Sequence, residues 1–160
     1  VITLVGIDQE FEIPPNVPSH RVQASISNLP SQGRLLAVMP HMHLRGRSFE
    51  LFADKDDRRE VLLRVPRYDF NWQHTYEFER PPLLDEMNDL SFEVTFDNSA
   101  GNPFNPNPAD YVMWGDQTWE EMAVAFFEVA IPIRKLPSED ATVSEVAQEA
   151  MEAPSNTSEQ

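Results

Sequence analysis

Two of the four histidines in this chain lie two residues apart, in the stretch MPHMHLRGRSFEL at positions 39–51. Side chains alternate along a β-strand, so in a strand His41 and His43 face the same side, with their Cβ atoms ~7 Å apart. Two imidazoles at that spacing can bind one metal ion through bonds of about 2.0–2.1 Å. The alternative is a half-exposed strand face that simply carries two histidines, and the pair alone does not decide between the two.

The type of metal depends on a third ligand. The chain has no cysteine, so the soft donors are Met39, Met42, Met87, Met113 and Met122. A thioether favours copper, especially Cu(I), over zinc or iron. Met42 alternates to the face opposite the histidines and is predicted to be in the core, whereas Met39 shares their face but adjoins Pro40. A carboxylate, or a third imidazole from His20 or His74, would instead make zinc plausible.

Short alternating runs separated by turn residues predict the elements that position these side chains. Fourteen prolines, ten phenylalanines and this punctuation favour an all-β domain. The candidate strands are ITLVGI, HRVQASISNL, RLLAVMPHMHL, RSFELFAD, EVLLRV, QHTYEFE, LSFEVTFD and AVAFFEVAIPI. We therefore predict an antiparallel β-sandwich or jelly roll of about eight to nine strands.

The stretch TWEEMAVAFFEV is ambiguous between helix and strand. Thr118 followed by Glu121 fits a capping box, which would open a helix. The apolar, aromatic run that comes next is typical of a buried strand. We predict a turn over residues 119–121 and a strand from about Met122.

The composition changes after Pro137, which places the predicted β-domain at 1–137 and an acidic tail at 138–160. The tail has no aromatic residue and is expected to be disordered. A short amphipathic helix is the alternative, because apolar residues recur there at helical spacing. They are Val143, Val146, Ala147, Ala150 and Met151.

The overall charge and composition exclude several classes of protein. A formal charge of −15 argues against a nucleic-acid partner. The sequence contains no apolar run long enough for a membrane span and no visible signal peptide. The first residues resemble a strand entering mid-fold, so the chain is expected to be a mature form or a piece of a longer protein.

Loop residues around the histidines suggest supporting roles. Arg45 and Arg47 are expected either to bind carboxylates such as Asp97 or Asp116, or to face solvent. Gly115 is expected to supply a positive φ before the turn at 119–121. Turn-capping roles are predicted for Asp69, Asn71 and Asn98.

Four segments together resemble a known family: PHMHLRGRSFEL, RVPRYDFNWQHTYEF, FDNSAGNPFNPNP and WGDQTWEEM. They are similar to the C-terminal domain of the copper type II, ascorbate-dependent monooxygenases, the family of peptidylglycine α-hydroxylating monooxygenase and dopamine β-monooxygenase. The likeness covers about residues 10–133 and is closer to bacterial members, in which such a domain ends a larger chain.

The resemblance implies one copper ion per chain, held by His41, His43 and Met122. Met122 ends the segment GDQTWEEM, which matches the family pattern Gly-x-x-Thr/Ser-x-x-Glu-Met, whereas His74 matches no family ligand. The family uses dioxygen to hydroxylate an unactivated C–H bond of a small-molecule substrate. Its electrons come from ascorbate through a second copper, held by three histidines in an N-terminal domain that would here act in cis or in trans. A periplasmic or extracellular location is also implied.

Three positions depart from the family pattern. Met39 occupies the place of an arginine that clamps the substrate carboxylate in peptide-amidating members. Phe126 replaces a tyrosine, and Ala123 stands where animal members have a disulfide cysteine. Peptide amidation is therefore not expected, and the substrate stays open. The alternative function is a non-catalytic β-sandwich that stores or delivers copper, or that recognises a partner.

Overall fold

A computed structural model describes residues 1–26, 29–56 and 58–132. Its ten strands form three antiparallel sheets. The strands are β1 (Ile2–Asp8), β2 (Glu12–Ile13), β3 (His20–Ser25), β4 (Arg34–His41), β5 (Gly46–Lys55), β6 (Arg58–Val65), β7 (Tyr76–Glu77), β8 (Asp89–Phe96), β9 (Val112–Met113) and β10 (Ala123–Ala130). One 3₁₀ turn, Leu84–Glu86, interrupts them. The predicted all-β sandwich is confirmed.

Two four-stranded sheets enclose the core, in the orders β1-β10-β4-β7 and β3-β8-β5-β6, and β2 and β9 form a separate ribbon. The sheets come close at Gly6 on β1. A Cβ atom there would lie 2.9 Å from both Ile26 and Phe92. Glycine at this position therefore lets the edge strand of the first sheet approach the second.

Aromatic side chains from both sheets fill the space between them. Phe49, Phe92, Phe96 and Phe127 are fully buried, and the rings of Phe49 and Phe92 stack with centroids 5.4 Å apart. Burying each such ring stabilises the fold by about 1.5–3 kcal/mol. The side chains on the inward face of each strand thus stabilise the β-sandwich.

The ambiguous stretch before β10 forms a turn, and β10 begins at Ala123, one residue after the predicted start. The main-chain N–H of Glu120 donates to the carbonyl of Gln117 at 2.9 Å, which closes this turn. The alternative interpretation of this stretch as a helix is therefore wrong. The strand predicted from QHTYEFE shortens to β7, because only Tyr76 and Glu77 pair with β4.

The predicted boundary at residue 137 and the predicted tail at 138–160, with its possible helix, lie outside the described residues. Within the parts of the chain that are described, no helix is long and apolar enough to cross a membrane.

Candidate metal centre

The paired histidines lie where β4 ends. β4 stops at His41, three residues before the end of the predicted strand RLLAVMPHMHL at Leu44, so the prediction that both histidines lie on one strand was wrong. The chain turns instead, and the N–H of Gly46 donates to the carbonyl of His43 at 3.1 Å. The rings of His41 and His43 are nevertheless neighbours, with centroids 5.3 Å apart and planes at 89°. Met42 between them is fully buried, which confirms its predicted place in the core.

The imidazole of His41 is oriented by Gln73. Its Nδ1 lies 2.8 Å from Oε1 of Gln73. The amide nitrogen of the same Gln73 donates to the carbonyl of Phe70 at 3.0 Å. This bond identifies the nitrogen of the amide, so the atom that faces His41 is the oxygen. The amide oxygen can only accept, so Nδ1 of His41 carries the proton, and Nε2 has a free lone pair for a metal ion.

The imidazole of His43 reaches the same state through a main-chain group. Its Nδ1 lies 3.3 Å from the carbonyl oxygen of Glu120. A carbonyl only accepts, so Nδ1 is again the protonated nitrogen. His43 is only 4% exposed, and this burial lowers its pKa below the ordinary value of 6.5, against the effect of the Glu120 carbonyl. In both rings Nδ1 is the nitrogen held by an acceptor, which leaves Nε2 as the candidate metal ligand.

A buried carboxylate joins the histidine turn to the start of β10. Oε2 of Glu121 accepts the main-chain N–H of His43 at 2.8 Å and that of Met122 at 3.3 Å. Its Oε1 accepts the N–H of Arg45 at 2.6 Å. Glu121 is fully buried, and desolvation raises its pKa to about 7, although the N–H donors favour the charged form. Two of the three residues proposed from the sequence as ligands, His43 and Met122, are thus connected through Glu121.

Tyr68 holds the same turn from the other side. Its hydroxyl accepts the N–H of Met42 at 3.0 Å and donates to the carbonyl of Met42 at 2.7 Å. Burial raises the pKa of Tyr68 to about 12, so the hydroxyl keeps the proton that it donates. These bonds occupy the backbone groups that a longer β4 would use, which explains why the strand ends at His41.

Sequence reasoning gave Tyr68, Gln73 and Glu121 no role at the site. Glu121 appears there as the end of a capping box and as the Glu of the Gly-x-x-Thr/Ser-x-x-Glu-Met pattern, and Tyr68 and Gln73 appear only within the segment RVPRYDFNWQHTYEF. No periodic signal marks such residues, since each acts through hydrogen bonds to a distant part of the chain. Apart from the segment likeness, only the density of polar and aromatic residues in loops pointed to this region.

Gly115 is needed for a reason other than the predicted positive φ. Among the described glycines only Gly33 has a positive φ, of 138°. At Gly115 the carboxylate of Glu120 occupies the space that a Cβ atom would take. That carboxylate also accepts the N–H of Gln117 at 3.0 Å. The missing side chain therefore lets Glu120 fold back over the turn.

Of the two arginines after the histidines, only Arg47 follows the prediction, because the guanidinium of Arg45 neither pairs with a carboxylate of the described residues nor faces solvent. Arg47 forms an ion pair with Asp97 at 3.7 Å. Arg45 is buried, and its guanidinium donates to Oδ1 of Asn98 at 2.9 Å and to the carbonyl of Trp119 at 2.8 Å. Asn98 does not cap a turn as predicted, since its amide donates to the carbonyls of Pro14 and Asp110, whereas Asp69 caps its turn, accepting the N–H of Asn71 at 2.8 Å.

The other imidazole considered as a ligand lies in an aromatic row. His74 is exposed and packs edge-on against Trp72, with centroids 4.9 Å apart, and against Tyr76 at 6.4 Å. Across the described ranges, no three or more His, Cys, Asp or Glu residues form a group that could hold a metal ion. A zinc shell completed by His74 or an acid therefore has no support there.

A cavity of about 690 Å³ adjoins the histidine turn. Leu44, Arg45, Tyr68 and Phe70 belong to its wall. The ring of Phe70 also packs edge-on against His43, with centroids 5.9 Å apart. One side chain thus separates the cavity from a candidate ligand, and the volume suits a small organic molecule.

No protein-family model matches this chain, and no curated protein matches it either.

Proposed function

We propose that this chain is the C-terminal copper-binding domain of an ascorbate-dependent copper type II monooxygenase of the bacterial type. His41, His43 and Met122 would hold one copper ion. The observation that carries the proposal is the similar orientation of the two imidazoles, because Gln73 and the Glu120 carbonyl hold Nδ1 of each ring and leave Nε2 as the nitrogen that can bind a metal ion. The third ligand, the thioether of Met122, is proposed from the family likeness of the four sequence segments.

The donor set fits copper. Two neutral imidazoles and one thioether form a soft site of low charge, which favours Cu(I) over zinc. Met122 follows Glu121 directly, and its N–H shares a carboxylate oxygen with that of His43. This connection supports Met122 as the third ligand, since the backbone of both residues depends on one anchor.

When bound, copper supplies the redox chemistry by which this family hydroxylates an unactivated C–H bond with dioxygen. The chain's own residues prepare the site. Gln73 and the Glu120 carbonyl orient the two rings, and Tyr68 and Glu121 fix the backbone between them. Rigid support of this kind keeps the ligand geometry when the oxidation state changes.

The adjoining cavity supports an enzyme over the alternative of copper storage or delivery. A carrier needs ligands but no space for a second molecule, whereas a monooxygenase must place a substrate beside its metal. We propose a partner domain with a three-histidine copper site, in cis or in trans, as the source of electrons from ascorbate. A periplasmic or extracellular location belongs to the same proposal.

X-ray absorption on the Cu(I)-loaded protein tests the ligand set. We expect two nitrogen donors and one sulfur donor, and we expect Met122→Ile to remove the sulfur scattering. Met113→Ile is the matched control, because Met113 is 61% exposed on β9, and it should leave the spectrum unchanged. Sulfur scattering that persists in Met122→Ile would show that the ligand assignment is wrong.

His41→Ala tests copper binding itself. The variant should lose Cu(I) binding, whereas His20→Ala, which changes a histidine on β3, should keep it. A protein that binds no copper at micromolar concentration, with or without these changes, would contradict the proposed function.

A further inference from the structure

The cavity beside His43 concentrates positive charge in an acidic protein. The chain has 12 Lys and Arg residues against 27 Asp and Glu, for a net charge of −15. Three of those cations, Arg45, Arg47 and Arg67, line the cavity, against two acids, Asp69 and Asp97. A local reversal of charge of this kind raises the concentration of anions at the cavity.

Arg45 is the cation for which this matters most. It is only 2% exposed, yet its guanidinium donates to neutral oxygens, those of Asn98 and Trp119. No carboxylate in the described parts of the chain forms an ion pair with it. Glu121 and Asp110 act on its charge from a longer distance, so Arg45 adds positive charge to the wall of the cavity without being part of an ion pair.

The two aspartates of the wall are already engaged. Asp97 pairs with Arg47 and accepts the hydroxyl of Ser99 at 2.6 Å. Asp69 accepts the N–H of Asn71. Arg67, by contrast, is exposed and forms no ion pair with any residue that the structure describes. An incoming anion therefore meets a guanidinium without an ion pair at Arg67 and a mutually compensated pair at Arg47 and Asp97, and Asp69 is the one acid of the wall outside an ion pair.

The remaining wall combines polar side chains, those of Asn71 and Asn102, with three aromatic residues. Tyr68, Phe70 and Phe104 line it. Phe104 is 59% exposed, which is high for a residue of its type. Tyr68 and Phe70 also contact the histidine turn. Aromatic faces beside guanidinium groups suit a planar ring that carries a negative charge.

We propose that this cavity binds a small organic anion with an apolar, preferably aromatic, body, for which a carboxylate is the simplest head group. Arg67 and Arg45 would recognise the charge, and Phe70 and Phe104 would contact the body. The inference does not rest on the proposed function, since none of its contacts involves copper. If the proposed function is also correct, the anion binds one side chain away from His43.

Isothermal titration of the metal-free full chain with three probes tests the ligand class. Benzoate has both charge and ring, benzamide keeps the ring without the charge, and acetate keeps the charge without the ring. We expect benzoate to bind with a Kd of about 1 mM or tighter, and benzamide and acetate to bind at least about tenfold more weakly. Equal binding of benzamide or of acetate, or no binding of benzoate, would overturn the proposal.

Arg67→Gln tests the location. Arg67 is exposed, so its loss should leave the fold intact, and it should weaken benzoate about tenfold, as expected for one charge-assisted hydrogen bond. Arg21→Gln is the control, because it removes the same charge from an exposed site on β3 where Arg21 pairs with Glu93. Equal weakening by both variants would mean a general charge effect, which overturns the assignment to this cavity. Arg67→Gln should leave copper binding unchanged. A negative result for anion binding would therefore not count against the copper site, and a protein that binds no copper would not count against anion binding in the cavity.

Discussion

The main-chain N–H of His43 donates to the carboxylate of Glu121 at 2.8 Å, across 78 positions of the sequence. The same oxygen accepts the N–H of Met122. One buried side chain therefore sets the distance between the histidine turn and the start of β10. The geometry of the candidate copper site thus depends on a residue that has no ligand role of its own.

Glu121 makes the stability of the metal-free protein depend on pH. Burial raises its pKa from 4.5 to about 7, so between these values the folded protein binds a proton that the unfolded chain has lost. Stability due to this group is therefore complete below about pH 4.5 and declines as pH rises towards 7, by about 3 kcal/mol in total. We expect chemical denaturation of wild type and Glu121→Gln at several pH values to show this decline only in wild type.

His43 acts in the opposite direction and must be separated from Glu121. Its pKa is lowered by burial, so its contribution to stability is present above about pH 6.5 and lost as pH falls. The difference between wild type and Glu121→Gln cancels this effect, because both proteins contain His43. A difference that does not change with pH would contradict the raised pKa of Glu121.

Tyr68→Phe should destabilise the protein through the backbone of Met42. The change removes one hydroxyl that satisfies both the N–H and the carbonyl of this fully buried residue. We expect a loss of about 1–3 kcal/mol in the free energy of unfolding, measured by urea denaturation. Tyr111→Phe removes the same hydroxyl from a residue that is 63% exposed, and it should change stability by less than about 0.5 kcal/mol. Similar effects of the two substitutions would exclude this role for Tyr68.

Gln73→Leu should weaken copper binding with little effect on folding. Without the amide oxygen, Nδ1 of His41 loses the partner that fixes its tautomer and its ring orientation. Loss of such a partner typically lowers metal affinity about 10–100-fold. Competition with a chromogenic Cu(I) chelator measures this change, and Gln23→Leu, on an exposed position of β3, is the control. Wild-type affinity in Gln73→Leu would show that this hydrogen bond does not support the site.

Gly46→Ala should be destabilising because there is no room for a methyl group. A Cβ atom at this position would lie 2.6 Å from Cβ of Met42 and 2.9 Å from the ring of Tyr68. Overpacking of this kind costs about 1–3 kcal/mol. Gly101→Ala is the matched control, since the nearest atom there is Oγ of Ser99 at 3.3 Å. Thermal unfolding compares the two, and a Gly46→Ala protein as stable as Gly101→Ala would argue against a tightly packed turn.

Several features of the fold and site could be predicted from local sequence. Alternation of apolar and polar residues indicated the long strands, and the same alternation placed Met42 in the core. The apolar run after Met122 outweighed the capping box, since a buried strand gains more from packing than an isolated turn gains from a cap. The adjacency of His41 and His43 also followed from their spacing, although the strand ends between them.

By itself, the sequence determined which side chains have atoms that can bind a metal, because this follows from residue type. It also determined which face of each strand is buried, because side chains alternate along a strand with a period of two residues. Only the tertiary structure decided where β4 ends, which nitrogen of each imidazole is free, and where the cavity lies. These depend on single hydrogen bonds from Tyr68, Gln73 and the Glu120–Glu121 pair, between residues 26 to 78 positions apart. A bond between distant residues has no local pattern, so folding must bring them together before their roles can be recognised.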